Sequence, residues 1–341
     1  MLDSSRWRDL IIVNTGTNRA APSRASNTFK YGITTPTPAA NMRLLLLLMW
    51  LLHWLPLPLL GRLGEGVGSM LFALAKSRRH VTLTNLRLCF PDLSEPDRNA
   101  LARAHFRAYA RAMLDRGVLW WASERRLRRL IVVDPALPLQ AMQSGPTILL
   151  CPHFVSLDVA ALALALDSPG CTVYTHQRNR VFNEALRKGR SRFRPIALFP
   201  RSQGVKPVIR AMRAGLPFFM CPDMDFGAKD ATFVPFFGVA AATLTAPARI
   251  ATVTGAQVIP VTATLLPRYR GWKITFFEPW TDYPGTDMDL AALRMNQFIE
   301  TEVRKTPAEY FWSHRRFKTR PIGQASVYNP AQAPAPAAQG T

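Results

Sequence analysis

The sequence predicts an α/β fold, a sheet with helices packed on its faces, on two observations. From residue 130 onward, short β-like apolar runs alternate with helical patterns. Hydrophobic residues make up 48% of the 341 and aromatics 10%, ample for one large domain or two small ones. The strand candidates are "LIVVD" (130–134), "TILLC" (147–151), "CTVYT" (171–175), "IALF" (196–199), "FFMC" (218–221) and "QVIPVTATLL" (257–266), with a further strand in "RYRGWKITFFEPW". Helical patterns fall at 155–166, 181–193, 204–214 and 244–254, and a closing amphipathic helix at 288–305.

Ahead of this region the texture differs. Residues 1–41 mix Ser, Thr, Asn, Pro and Ala without apolar periodicity and read as a disordered extension; Met42 could equally be the true start. From Arg43 to Arg62 no charged residue intervenes, and residues 42–63 read as a membrane anchor. As a helix the uncharged stretch is about 27 Å long, short for a span, and Pro56 and Pro58 would bend or end it. A tilted transmembrane helix and an in-plane anchor are both open. Ser94, ahead of Glu95, Pro96 and Asp97, is a helix start, and Phe106, Tyr109, Ala110, Met113 and Trp120 mark one apolar face to about 121. Arg103, Arg107 and Arg111 form a stripe on another face, either solvated or facing an anion. The tail from 323 to 341 is low-complexity and expected to be disordered.

Lys and Arg outnumber Asp and Glu by 43 to 22, a net charge of +21. Residues 1–41 hold only five of the basic and two of the acidic residues, so the excess belongs to the body. Such a charge attracts lipid head groups, an acidic protein or nucleic acid; no recognition motif supports the last, and no nucleic-acid partner is expected. Four scattered cysteines without Cys-x-x-Cys spacing argue against zinc and give no disulfide framework.

The sharpest local signal is "CPHFVSLD" (151–158). His153 lies where an apolar run leaves the sheet, the edge at which ligands collect in open α/β folds. If the chain turns and a helix begins near Ser156, Asp158 can swing back, bond one imidazole nitrogen and leave the other as a base. On spacing alone, a histidine capping a strand and an aspartate capping its own helix fit as well.

The wider sequence resembles the bacterial lipid A biosynthesis acyltransferases over about residues 42–322. The likeness is carried by "TNLRLCFPDLS" (84–94), the block 222–261 beginning "PDMDFGAKD", and "YFWSHRRFKTRP" (310–321). It implies a mixed, mostly parallel sheet of the glycerolipid-acyltransferase type. It implies transfer of a fatty acyl chain from acyl carrier protein to a hydroxyl on an acyl chain of the lipid A precursor, in lipopolysaccharide biosynthesis. It also implies an inner-membrane location with the catalytic domain on the cytoplasmic face, in contact with membrane lipids. No cofactor or bound metal is expected. His153 is then the general base and Asp158 its orienting acid. Arg178, Asn179 and Arg190 are carried over as substrate-binding residues, as are Asp223 and Asp225 of the Asp-x-Asp block. The dense cations Arg315, Arg316 and Lys318, with His314 and Arg320, are expected to meet phosphate or an acidic protein. Phe233, Phe236, Phe237 and Gly238 are candidates for an acyl tunnel or for core. Two alternatives stay open: acyl transfer to a lysophospholipid or aminolipid, and a glycosyltransferase holding a divalent metal on Asp223 and Asp225.

Overall fold

A computed structural model describes residues 38–136 and 138–329. The extension expected to be disordered therefore lies outside the described residues up to 37, and its last residues open a helix. Two helices replace the single expected anchor: α1 (Pro38–Leu52) and α2 (Leu57–Leu74). Pro56 precedes the second helix, and its missing amide and fixed φ prevent one helix from running through. None of the described helices is long and apolar enough to cross a membrane. Leu44, Leu47, Leu48, Leu51, Trp54 and Leu59 are nonetheless exposed on this pair.

Next come α3 (Lys76–Cys89), α4 (Glu95–Trp121) and α5 (Glu124–Leu130). Ser94 caps α4 as expected, accepting from the amide of Asp97 at 3.2 Å. The arginine stripe on α4 divides: Arg103 and Arg107 lie along α2 while remaining exposed, and Arg111 is buried. Arg107 Nε donates to Ser69 Oγ at 2.8 Å, Arg103 lies over the Phe72 ring, and Arg111 is buried over Tyr269. Gly64 makes this possible: a Cβ there would stand 2.6 Å from the Arg111 Cα.

The sheet strands are β1 (Ile131–Val133), β2 (Thr147–Leu150), β3 (Gly170–Tyr174), β4 (Ile196–Pro200), β5 (Phe218–Met220), β8 (Gln257–Leu265) and β9 (Trp272–Phe276). Between them, β6 (Ala231–Phe236) and β7 (Val239–Leu244) form a separate antiparallel hairpin. The helices are α6 (Leu139–Ser144), α7 (Leu157–Asp167), α8 (Arg180–Arg190), α9 (Lys206–Arg213), α10 (Ala246–Thr254) and α11 (Met288–Lys305). The seven strands lie in the order β1-β9-β8-β2-β5-β3-β4, parallel at every pairing except β8 with β9. The mixed, mostly parallel sheet flanked by helices is thus the observed architecture.

Alternate side chains of each strand feed opposite cores. Ile148, Leu150, Phe218 and Met220 join Val208 and Met212 of α9 on one face. Leu149, Cys151 and Phe219 join Val159 and Leu162 of α7 on the other. The chain reaches β3 by way of α7 and returns to β5 by way of α9, so β5 lies at the point where crossovers change face, a ligand position in such sheets. Beyond Ile322 the chain does not fray at once. Tyr328 is buried, its hydroxyl donating to Asn85 Oδ1 at 2.5 Å and accepting from the Phe317 amide at 3.1 Å. The remainder of the expected tail, 330–341, lies outside the described residues.

Candidate active site

Strands β2 and β5 are parallel neighbours with Leu150 opposite Met220. Each then leaves the sheet through a Cys-Pro pair, so the residues three positions on, His153 and Asp223, arrive side by side. The Cys151 amide extends the ladder by donating to the Met220 carbonyl at 2.8 Å. His153 Nδ1 donates to Asp223 Oδ1 at 2.6 Å, and the His153 amide donates to Oδ2 at 3.0 Å. A carboxylate has no proton to give, so this geometry fixes the Nδ1–H tautomer. Nε2 is left as the basic nitrogen, without a hydrogen-bond partner among the described residues. Asp223 is fully buried; burial would raise its carboxyl, but the adjoining His153 imidazole and amide hold it well below the usual carboxylate range.

Asp158 is elsewhere engaged, which corrects the expected pairing. The turn itself forms as expected, with α7 starting at Leu157, one residue after Ser156. The Asp158 carboxylate, however, accepts from Arg116 Nε at 2.8 Å and Arg190 Nη2 at 2.6 Å. Two charge-assisted bonds outweigh one to a ring nitrogen already saturated by Asp223. Against burial, the two guanidiniums hold the Asp158 carboxyl well below its ordinary value. One carboxylate between two cations leaves this wall net positive.

His153, Asp158, Arg116 and Arg190 all border one cavity of about 540 Å³. It opens where β3 parts from β5: their pairing ends at Thr172 and Phe219, while β3 runs on to Tyr174. From there it follows β3 between α7 and α8, walled by apolar side chains that include Leu157, Ala161, Phe182 and Leu186. Phe233, Phe236, Phe237 and Gly238 do not border it. Phe236 and Phe237 are buried in the core against Tyr310 and Trp312, because the β6–β7 hairpin turns them there. These two are core, not tunnel, and Phe233 is exposed.

The other expected site residues divide. Arg190 reaches the cavity, Arg178 is exposed, and Asn179 caps α8 by accepting from the Phe182 amide at 3.1 Å. Asp225 does not share a site with Asp223: it accepts from the Thr319 amide at 2.6 Å, the Thr319 hydroxyl at 2.7 Å and the Gly227 amide at 3.0 Å. It ties the loop to the C-terminal segment, so the pair does not form a metal cradle. Arg316 is buried too, donating to the Ala242 carbonyl at 2.9 Å and to Thr243 and Asn296 side chains. It locks the hairpin to α11 and cannot meet substrate. Arg315 and Lys318 remain exposed, whereas burial pushes the His314 imidazole down to about 4. The dense cation run therefore divides, with Arg316 an internal strut and Arg315 and Lys318 at the surface. Arg116 was missed from sequence because it lies off the stripe of Arg103, Arg107 and Arg111 and announces itself by no motif.

The sequence profile described as bacterial lipid A biosynthesis acyltransferase matches residues 33–319. The chain belongs to this family. The Escherichia coli lipid A biosynthesis palmitoleoyltransferase is 31% identical over 283 residues, 82% of this chain and 92% of that one. The lauroyltransferase of the same organism is 31% identical over 284 residues, again 82% and 92%, and its myristoyltransferase 32% over 284, 80% and 83%. A solved structure, a 1-acyl-sn-glycerophosphate acyltransferase from Thermotoga maritima, aligns over 73% of this chain and 98% of its own at a TM-score of 0.36 with 13% identity. The protein is accordingly an acyltransferase of lipid A biosynthesis.

Proposed function

We propose that His153, oriented by Asp223, is the general base of an acyl transfer from acyl carrier protein to the lipid A precursor. The observation that carries this reading is the 2.6 Å bond from His153 Nδ1 to Asp223 at the head of an apolar cavity. Nε2 takes the proton of a hydroxyl on an acyl chain of the acceptor. The freed oxygen attacks the thioester carbonyl; the new C–O bond forms, the C–S bond breaks, and the thiolate recovers the proton from the imidazolium. The net positive wall of Arg116, Asp158 and Arg190 favours the negative charge that develops on the carbonyl oxygen. The donor chain lies along β3.

The exposed leucines of α1 and α2, with Trp54 in the turn between them, suit an in-plane seat on the cytoplasmic face of the inner membrane, where a lipid acceptor is presented. An assay on detergent-solubilised protein tests the reading, with acyl-carrier-protein thioesters as donors and the lipid A precursor and lysophosphatidic acid as competing acceptors. Gain of one acyl chain by the precursor, lost in His153→Ala, is expected. Transfer only to the lysophospholipid would keep the base and discard the acceptor.

A further inference from the structure

A second cavity, of about 410 Å³, lies beyond the α4–α8 contact. The two cavities share two lining residues, Trp120 and Gly189. The indole lies against the bare backbone of α8: a Cβ on Gly189 would collide with Trp120 Cδ1 and stand 2.6 Å from Cγ. The wall is braced from the other sides. Phe182 and Trp121 rings each stand 5.7 Å from Trp120 between centroids. Arg192 clamps the end of α4, donating to the Leu119 carbonyl at 3.1 Å and the Ala122 carbonyl at 2.7 Å.

We propose that Trp120 is the partition that closes the acyl-chain cavity on its α4–α8 side and limits the length of donor chain accepted, with Gly189 setting where that wall stands. This rests on the reading that the cavity holds the donor chain. Beyond the indole, the outer cavity offers further apolar lining in Trp121, Val181 and Ala185, with Glu184, Lys188 and Arg192 at its rim. Removing the indole joins the two spaces, and a longer chain gains burial where it now meets a ring. Each methylene so accommodated is worth about fourfold in kcat/KM. A methyl group at position 189 acts the other way, pushing the indole into the inner cavity.

The test measures kcat/KM against a ladder of even-numbered acyl-carrier-protein thioesters for the full-length wild type, Trp120→Ala, Trp120→Leu and Gly189→Ala. Thermal melting identifies the variants that fold. The proposal expects the optimum of the Trp120 variants to move up the ladder by at least one step, and that of Gly189→Ala to move down. An unmoved optimum in a folded Trp120 variant, or movement of both residues' variants in the same direction, would overturn it while the acyltransferase reading stands. A wild type that transfers no chain of any length would overturn both.

Discussion

His153 Nδ1 and Asp223 Oδ1 meet at 2.6 Å across 70 residues of sequence. They do so because two parallel neighbouring strands, in register at Leu150 and Met220, release them at the same height. This pairing, and not the short-range one with Asp158, is the one that forms, and the two aspartates hold different partners.

Asp223→Asn is expected to behave as His153→Ala does. An amide in place of the carboxylate cannot hold the Nδ1–H tautomer in preference to its alternative, and general-base action of this kind contributes about 10²–10⁴-fold. Steady-state acyl transfer should record the loss mainly in kcat, with KM for the thioester little changed.

Asp158→Asn should act first on stability. It leaves Arg116 and Arg190 facing each other with no counter-charge in a half-buried wall, a loss smaller than the about 3–5 kcal/mol of a fully buried pair. Urea unfolding checks this, and Asp158→Glu, which keeps the charge, should recover part of it.

Arg316→Ala should lower the melting temperature, since it leaves the Ala242 carbonyl and the Asn296 side chain short of a donor. Activity per folded molecule should persist. Exposed Arg315 and Lys318 should change stability by no more than about 0.5 kcal/mol when replaced by Ala.

Two pH dependences oppose each other. Burial pushes the imidazoles of His105 and His314 from 6.5 down to about 4, so between those values the unfolded chain binds more protons. Stability should fall as pH drops through that window, and His314→Gln should flatten the slope. Burial pushes the Glu309 carboxyl the other way, from 4.5 up to about 7, despite the Leu265 amide that donates to it. Here the folded state binds more protons, so stability falls as pH rises from 4.5 to 7, and Glu309→Gln should remove that loss. Denaturant midpoints against pH measure both.

Much of the sheet was legible because β2, β5 and β8 are buried on both faces and read as continuous apolar runs. The closing helix is found at the expected 288–305 because its start, Asp287, is a cap and its period is regular. The β6–β7 hairpin is harder: "FVPFFGV" reads as lining for a lipid chain, and only the hairpin turn at Phe237 and Gly238 sends the Phe236 and Phe237 rings to the core while Phe233 stays exposed. The N-terminal segment is apolar enough to suggest an anchor, yet the break before α2 depends on Pro56 and on the fit of Gly64 to α4. His153 is legible from its place after a strand, whereas proximity along the chain points to the wrong partner, Asp158. The sequence did hold the better clue: "CPH" after "TILL" and "CPD" after "FFM" are equal exits from two strands. Using it requires the knowledge that β2 and β5 are neighbours, which is a property of the crossovers and of no local pattern.

The most direct measurement is the tautomer of His153, read by NMR on protein labelled with ¹⁵N-histidine and assigned with His153→Ala. At a pH where the ring is neutral, the proton should reside on Nδ1 in the wild type and in Asp158→Asn, and lose that preference in Asp223→Asn. A tautomer that survives Asp223→Asn but is lost in Asp158→Asn would return the pairing to residues 153 and 158 and contradict the account.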